Sequence, residues 1–464
     1  MSFDTPGYVL FLGVAAVLCR LCPKRLRWTL LLPLSLFFYA CWSPPLTLVI
    51  LGVILVTYGC GLGLGKTESA LGRKIWLLAA AAACMGLLVW FKYFNFLLGS
   101  VSALLGKPWT PWQILLPVGC SFYTFQALSY VIDVYRRRLS PVRHMGHYAL
   151  YIAFFPQLVA GPIERAETLL PQLIAPPDVK RKDVRQGLLL LICGFFRKLV
   201  IADLAAPAVD RVFLSACPDG SAVALGLVLF SFQIYCDFSG YTDIARGSAL
   251  LMGVHLRENF DRPYLARTLR DFWRRWHMSL TGWFTDYVYI PLGGSRKGKG
   301  RQILAVLTVF LLSGLWHGAD WTFVCWGLWH GLICAGEILW RRKREAEGPL
   351  SVRKAVSWLG VYGAVTASWL LFRSESLSQA YAFALRLFSP WHLAEGWKLL
   401  SMSGFRAACI ALALCQLPLL YRLPREEGKE KNVWSAVLLA ACALAAWFLR
   451  AADNGASAFI YFQF

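Results

Sequence analysis

The sequence predicts an all-α, polytopic integral membrane protein. Three observations carry that expectation. Hydrophobic residues make up 58% of the 464 positions and the mean hydropathy is +0.53, whereas soluble domains are about 45–50% apolar. Apolar runs close to the roughly 18 residues that mark a membrane helix recur along the whole chain. The net charge of +21, from 47 Lys and Arg against 26 Asp and Glu, is gathered into short segments between those runs. That is the pattern of cytoplasmic membrane loops. No DNA- or RNA-binding module is present, so membrane lipid is an expected partner and nucleic acid is not.

The runs follow in order. Tyr8–Cys19 is short and is read as a retained first span, because the basic cluster from Arg20 to Arg27 follows it and no small-residue cleavage site appears. Trp28–Trp42 comes next. Pro44 and Pro45 then force a turn before Leu46–Leu64. Ile75–Leu98 ends in Trp90, Phe91 and Phe94, residues suited to a membrane interface. Ile114–Tyr135 carries Ser121, Tyr123, Thr124, Gln126 and Asp133, which favour a face turned into a helix bundle. Tyr148–Ala160 ends at Gly161 and Pro162, Gln186–Asp203 follows a charged surface segment, and Ala222–Tyr235 leads into QIYCDFSGYTDIARG. Asn259–Arg275 is too polar to span and is expected to lie along the surface or re-enter. Ile303–Leu315, Thr322–Trp340, Ala355–Phe372, Phe405–Leu420 and Val433–Leu449 complete the series. The expected total is about 11 spans with additional re-entrant or surface-parallel helices. The Lys66–Lys74, Arg136–Arg143, Lys180–Arg185, Arg296–Arg301 and Arg341–Arg344 loops are expected to be cytoplasmic.

Several patterns exclude chemistry. Many of the 14 cysteines sit within apolar runs, where they act as small buried hydrophobes. The one CxxC, Cys19 to Cys22, has no second pair nearby, and no disulfide framework or metal site is expected. IPLGGSRKGKG lacks the spacing of a phosphate-binding loop. No GxSxG elbow occurs, and no internal repeat suggests a transporter.

The polar residues within apolar stretches point the other way. Asp237, Tyr241, Asp243 and Arg246 are dense for a membrane segment. Asp243 and Arg246, three apart, would share a helical face and be able to pair; a packing role and a catalytic role are both open for them. His144 and His147, three apart without a further ligand, are read as interfacial. Three of the seven histidines fall between Asp271 and Gly331. His317 and His330 occupy two copies of the same word, GLWHG at 314–318 and GLWHG at 327–331, which the motif alone does not rank. A buried ionisable group of this kind marks a functional site. Packing or interface anchoring is the alternative for Trp316.

Long segments carry a resemblance. DFWRRWHMSLTGWFTDYVYIPLGG, SGLWHGADW, LPVGCSFYTFQALSYVIDVYR, FFPQLVAGPIERAETLLPQL and IYCDFSGYTDIA resemble the bacterial branch of the membrane-bound O-acyltransferases, the branch that serves alginate and other polysaccharide O-acetylation. The resemblance implies one membrane-bound O-acyltransferase domain over residues 1–464, wrapped around a central tunnel in the inner membrane. It implies transfer of an acyl group, foremost acetyl, from a cytoplasmic thioester such as acetyl-CoA toward an extracytoplasmic polysaccharide. No bound cofactor is expected. An extracytoplasmic SGNH-type partner and polysaccharide synthesis or export machinery are implied. The family's histidine falls on His317 and its second polar position on His277. His330, Asp237, Tyr241, Asp243, Arg246, Gln126 and Trp316 are possible supporting residues. Acyl transfer to an alcohol needs a base for the hydroxyl proton, a donor for the developing oxyanion and a proton for the leaving thiolate. An imidazole near its ordinary pKa of about 6.5 serves as base and then acid. On this reading His317 exchanges the proton, and His277 either polarises the donor carbonyl or orients the acceptor. D-alanyl transfer to teichoic acid, a transporter and a non-catalytic assembly scaffold are the competing readings.

Overall fold

A computed structural model of the chain describes residue 3 and residues 5–159, 161–340, 351–401 and 440. Helices are the regular elements throughout this described part. The expected spans Phe405–Leu420 and Val433–Leu449 lie outside the described residues, apart from residue 440, and so does the basic loop Arg341–Arg344. Two compact units are present. One comprises Met1–Leu191 with Ile244–Arg257, and the other Ile192–Asp243 with Glu258–Phe464.

The first unit contains α1 (Pro6–Leu21), α2 (Arg27–Ala40), α3 (Pro44–Lys66), α4 (Ala70–Leu88), α5 (Phe94–Leu104), α6 (Cys120–Tyr135), α7 (Met145–Ala153), α8 (Phe155–Leu158), α9 (Ala166–Ile174) and most of α10 (Arg181–Phe195). A π turn, Val89–Tyr93, joins α4 to α5. The run expected from Ile114 becomes helical only at Cys120. Pro117 lacks an N–H, and Gly119 takes a left-handed φ of 71° immediately before the helix. Tyr148–Ala160 is likewise not one helix. Pro156 cannot continue α7, which ends at Ala153, and α8 restarts after Phe154. Arg73 ties the ends of two helices together: its guanidinium donates to Leu64 O at 2.6 Å, Val134 O at 3.0 Å and Tyr135 O at 2.7 Å. Those carbonyls belong to the last turns of α3 and α6, where helical acceptors lack partners and a cation is favoured.

The second unit holds α11 (Asp203–Phe213), the larger part of α12 (Gly220–Leu251), α13 (Leu269–Arg275), α14 (Met278–Phe284), α15 (Lys299–His317), α16 (Trp321–Leu339), α17 (Val352–Arg373), α18 (Leu377–Leu387) and α19 (Leu393–Ser401). The expected Gln186–Asp203 helix is α10 followed by a π turn, Phe196–Ala202, that carries Arg197 and Lys198. The expected Ala222–Tyr235 span is part of the 32-residue helix α12. The polar Asn259–Arg275 stretch forms only short helices, as its composition predicts. Thr268 caps α13, and Glu337 of α16 accepts the N–H groups of Leu269 at 2.7 Å and Arg270 at 3.2 Å. This carboxylate satisfies the otherwise orphaned first donors of α13 and binds them to α16.

Among the described residues, six helical stretches are long and apolar enough to cross a membrane: Pro44–Lys66, Ala70–Leu104, Gly220–Leu251, Lys299–His317, Trp321–Leu339 and Val352–Arg373. The chain is an all-α polytopic membrane protein.

Candidate active site

The site lies in the second unit and begins where α15 gives way to α16. The chain needs a tight reversal here, and SGLWHGAD supplies it. His317 is the last residue of α15, Gly318 is extended, and the Asp320 carboxylate accepts the Thr322 N–H at 2.8 Å to start α16. The two GLWHG copies meet at their first glycines. A Cβ on Gly314 would run into the Phe323 carbonyl oxygen, and one on Gly327 into the Phe310 carbonyl oxygen. Each would also lie 3.4 Å from the other glycine's Cα. Small residues at this spacing let α15 and α16 approach backbone to backbone.

His317 is 3% exposed. Its ring centroid is 5.0 Å from those of Trp316 and Trp326 and 5.5 Å from that of Phe372. His277 arrives from a different element, the junction of α13 and α14. It is 1% exposed, and its ring stands 6.5 Å from His317 and 5.7 Å from Trp316. Phe238 of α12 packs edge-on against it at 4.7 Å. The His277 backbone is left-handed, with φ 44°, a conformation that a non-glycine residue holds only when its surroundings impose it. Asn259 imposes it here. Its carbonyl accepts the Met278 N–H at 3.0 Å, and its side-chain oxygen lies 3.2 Å from His277 Nδ1. Burial pulls the His277 imidazole down to about 3. The ring is therefore neutral at physiological pH.

His330 has a different setting. Its Nε2 lies 3.0 Å from Ser368 Oγ on α17, and the Ser368 hydroxyl donates to Val365 O at 2.6 Å. That hydroxyl proton is committed, so His330 Nε2 donates to Ser368 and joins α16 to α17. Trp273 and Trp326 pack against the ring at 5.0 and 4.9 Å.

The expected supporting residues divide. Trp316 is in the site. Asp237 and Tyr241 instead surround Lys198, whose ammonium is 2.8 Å from Asp237, 2.7 Å from Asp203 and 5.5 Å above the Tyr241 ring. Asp243 pairs with Arg197. These buried charges are matched by opposite charges on the π turn, as burial requires. Gln126 and Arg246 belong to the first unit, where Gln126 donates to Tyr151 O at 2.6 Å. His144 and His147 pack edge-on against Trp28, at 4.7 and 5.0 Å. Among the described residues, no group of three potential ligands could hold a metal. A cavity of about 410 Å³ opens beside α13 to α16, with Arg270, Trp273, Arg274, Tyr289, Phe310 and Ser313 in its wall.

A model of the membrane-bound O-acyltransferase family matches residues 143–356. The chain is 34% identical to the probable alginate O-acetylase AlgI of Pseudomonas putida, over 98% of both chains. This chain belongs to the membrane-bound O-acyltransferase family. It is an acyltransferase, and a multi-pass protein of the inner membrane. The Helicobacter pylori peptidoglycan O-acetyltransferase is 32% identical over 75% of this chain and 71% of its own length. The Streptococcus thermophilus teichoic acid D-alanyltransferase is 28% identical over 55% of this chain and 68% of its own length.

Sequence reading missed Asn259, Phe238, Trp326 and Phe372. Asn259 carries a usable signal, since it is an amide in a stretch too polar to span, 18 positions before His277. The three aromatic residues give none, being indistinguishable from other apolar residues in their helices.

Proposed function

We propose that this protein transfers an acetyl group from a cytoplasmic thioester, acetyl-CoA or a similar donor, across the membrane toward hydroxyls of an extracytoplasmic polysaccharide, through a partner protein, with His317 and His277 at the reaction centre. The observation that carries this reading is the meeting of two histidines 40 positions apart in sequence (317 − 277) within 6.5 Å, inside a wall of aromatic rings. His317 accepts the proton of the acceptor hydroxyl as its oxygen attacks the thioester carbonyl carbon. The tetrahedral intermediate collapses, the C–S bond breaks, and the imidazolium returns the proton to the departing thiolate. Trp316, Trp326 and Phe372 keep water from the thioester. The cavity beside α13 to α16 has Arg274 in its wall, a cation suited to an anionic donor, while Arg270 in the same wall pairs with Glu337.

On the same reading, residues 1–464 act as one domain with about 11 spans around a tunnel that passes His317. An extracytoplasmic SGNH-type partner then completes delivery to the polymer, beside the synthesis or export machinery. High coverage of the AlgI relative supports a polysaccharide acceptor over D-alanyl transfer, whose relative aligns over about half of this chain. The test follows labelled acetyl from acetyl-CoA into polymer, using membranes that contain the chain with and without a co-expressed SGNH partner. Label in polymer that depends on this chain is expected. Transport of an intact substrate without acyl transfer would replace the enzyme reading with the transporter one.

A further inference from the structure

One oxygen decides which nitrogen of His277 carries a proton. The Asn259 side chain faces three groups: Ser279 N at 3.0 Å, Ser279 Oγ at 2.9 Å and His277 Nδ1 at 3.2 Å. A backbone N–H only donates, so the Asn259 atom opposite Ser279 N is the carbonyl oxygen and not the amide nitrogen. An amide oxygen only accepts, so the imidazole nitrogen facing it carries the hydrogen. The neutral ring holds one N–H, which leaves Nε2 with its lone pair.

We propose that Asn259 is a positioning residue that holds His277 as the Nδ1–H tautomer, so that Nε2 is a proton or hydrogen-bond acceptor. In this state His277 has no hydrogen to give a thioester carbonyl. Of the two roles open to it, polarising the carbonyl is excluded. His277 serves the hydroxyl side of the reaction, orienting the acceptor O–H or taking its hydrogen bond while His317 exchanges the proton. The opposite tautomer occurs nearby. His330 carries its hydrogen on Nε2, because the Ser368 hydroxyl is committed to Val365 O. Two buried histidines in one unit thus differ in the nitrogen that bears hydrogen, each set by a neighbouring oxygen. Asn259 also pins the left-handed His277 backbone through its own carbonyl, so ring and main chain are oriented by one residue. The chemical role rests on the acyl-transfer reading, whereas the tautomer does not.

The experiment uses the full chain in micelles, labelled with ¹⁵N in its histidine rings. The His277 signals are identified by their loss in His277→Gln. The wild type is expected to show a protonated Nδ1 and a bare Nε2 for His277. A protonated Nε2 overturns the proposal, and this reading needs no altered Asn259. Asn259→Leu removes the acceptor and is expected to release the ring into a mixture of tautomers. It should also lower kcat on the order of 10²-fold, with KM little changed. Asn259→Asp keeps an acceptor oxygen and is expected to retain the Nδ1–H form and most of the turnover. Unchanged spectra and kcat in Asn259→Leu would also overturn the proposal. A wild-type Nδ1–H signal alongside undiminished transfer in His317→Ala would remove the histidine mechanism and still support the tautomer.

Discussion

Removing the His317 ring is expected to lower acetyl transfer on the order of 10²–10⁴-fold at matched amounts of folded protein. His277→Ala should follow it and His330→Ala should be mildest. His330 links α16 to α17 through Ser368, so its loss should fall on stability, at about 1–3 kcal/mol for the broken buried bond. Assays of labelled transfer beside thermal unfolding separate the two effects. An inactive His330→Ala with an active His317→Ala would reverse the roles of the two GLWHG copies. His277 also makes a pH prediction. Its native pKa of about 3 lies below the unfolded value of about 6.5. Between those limits the unfolded chain binds a proton that the native chain does not. The stability from this neutral ring is complete above that unfolded value and is lost as pH falls toward the native one. Wild type should lose unfolding temperature from pH 7.5 to 5 more steeply than His277→Gln. Equal slopes would assign the acid sensitivity to other groups. His317 stands out in the sequence as an imidazole at the end of an apolar run, and His277 through the family resemblance; the structure places their rings 6.5 Å apart. Asn259 shows in the sequence only as an amide in a polar stretch, because its link to His277 is a hydrogen bond that spans 18 positions.

At the crossing of α15 and α16, geometry opposes intrinsic preference. Alanine in place of a helical glycine adds about 1 kcal/mol of helix propensity, while overpacking typically costs about 1–3 kcal/mol. At Gly314 and Gly327 the new methyl would meet backbone oxygen, which does not rotate aside, so both alanine variants should unfold at lower temperature. Gly336, on the same α16, has open space, and its alanine variant should be more stable than the wild type. A Gly314→Ala chain as stable as Gly336→Ala would rule out the tight crossing. Arg73 sets a second test, because it binds the ends of α3 and α6 together. Glu68→Cys and Ser140→Cys, on a background free of native cysteines, should label from the same side, the cytoplasm. Labelling from opposite sides would contradict the geometry. The helix α12 shows where element reading stops short. Asp237 and Asp243 interrupt the apolar run at Tyr235, yet the helix continues to Leu251. The charges that neutralise them, Lys198 and Arg197, are about 40 positions earlier, and local composition cannot reveal that pairing.

At the scale of the whole molecule, the fold class was readable from apolar runs and loop charge, because lipid demands both. Division into two units was not readable. Two of its three boundaries fall inside α10 and α12 and the third just past α12, between Arg257 and Glu258, so neither unit is one continuous stretch of sequence. The length of α12 has a further consequence. Its 32 residues rise about 48 Å at 1.5 Å each, against a hydrocarbon core of about 30 Å. An upright α12 would leave roughly its last twelve residues, Gly240 onward, level with the lipid headgroups, and a tilted one would draw them inward. The same helix carries Phe238 against His277. On the proposed mechanism, bilayer thickness acts on the tilt of an element that touches His277. In vesicles of phosphatidylcholine with progressively longer acyl chains, turnover should pass through an optimum and not stay flat. A thickness-independent rate would mean that the surrounding helices absorb the mismatch before it reaches α12.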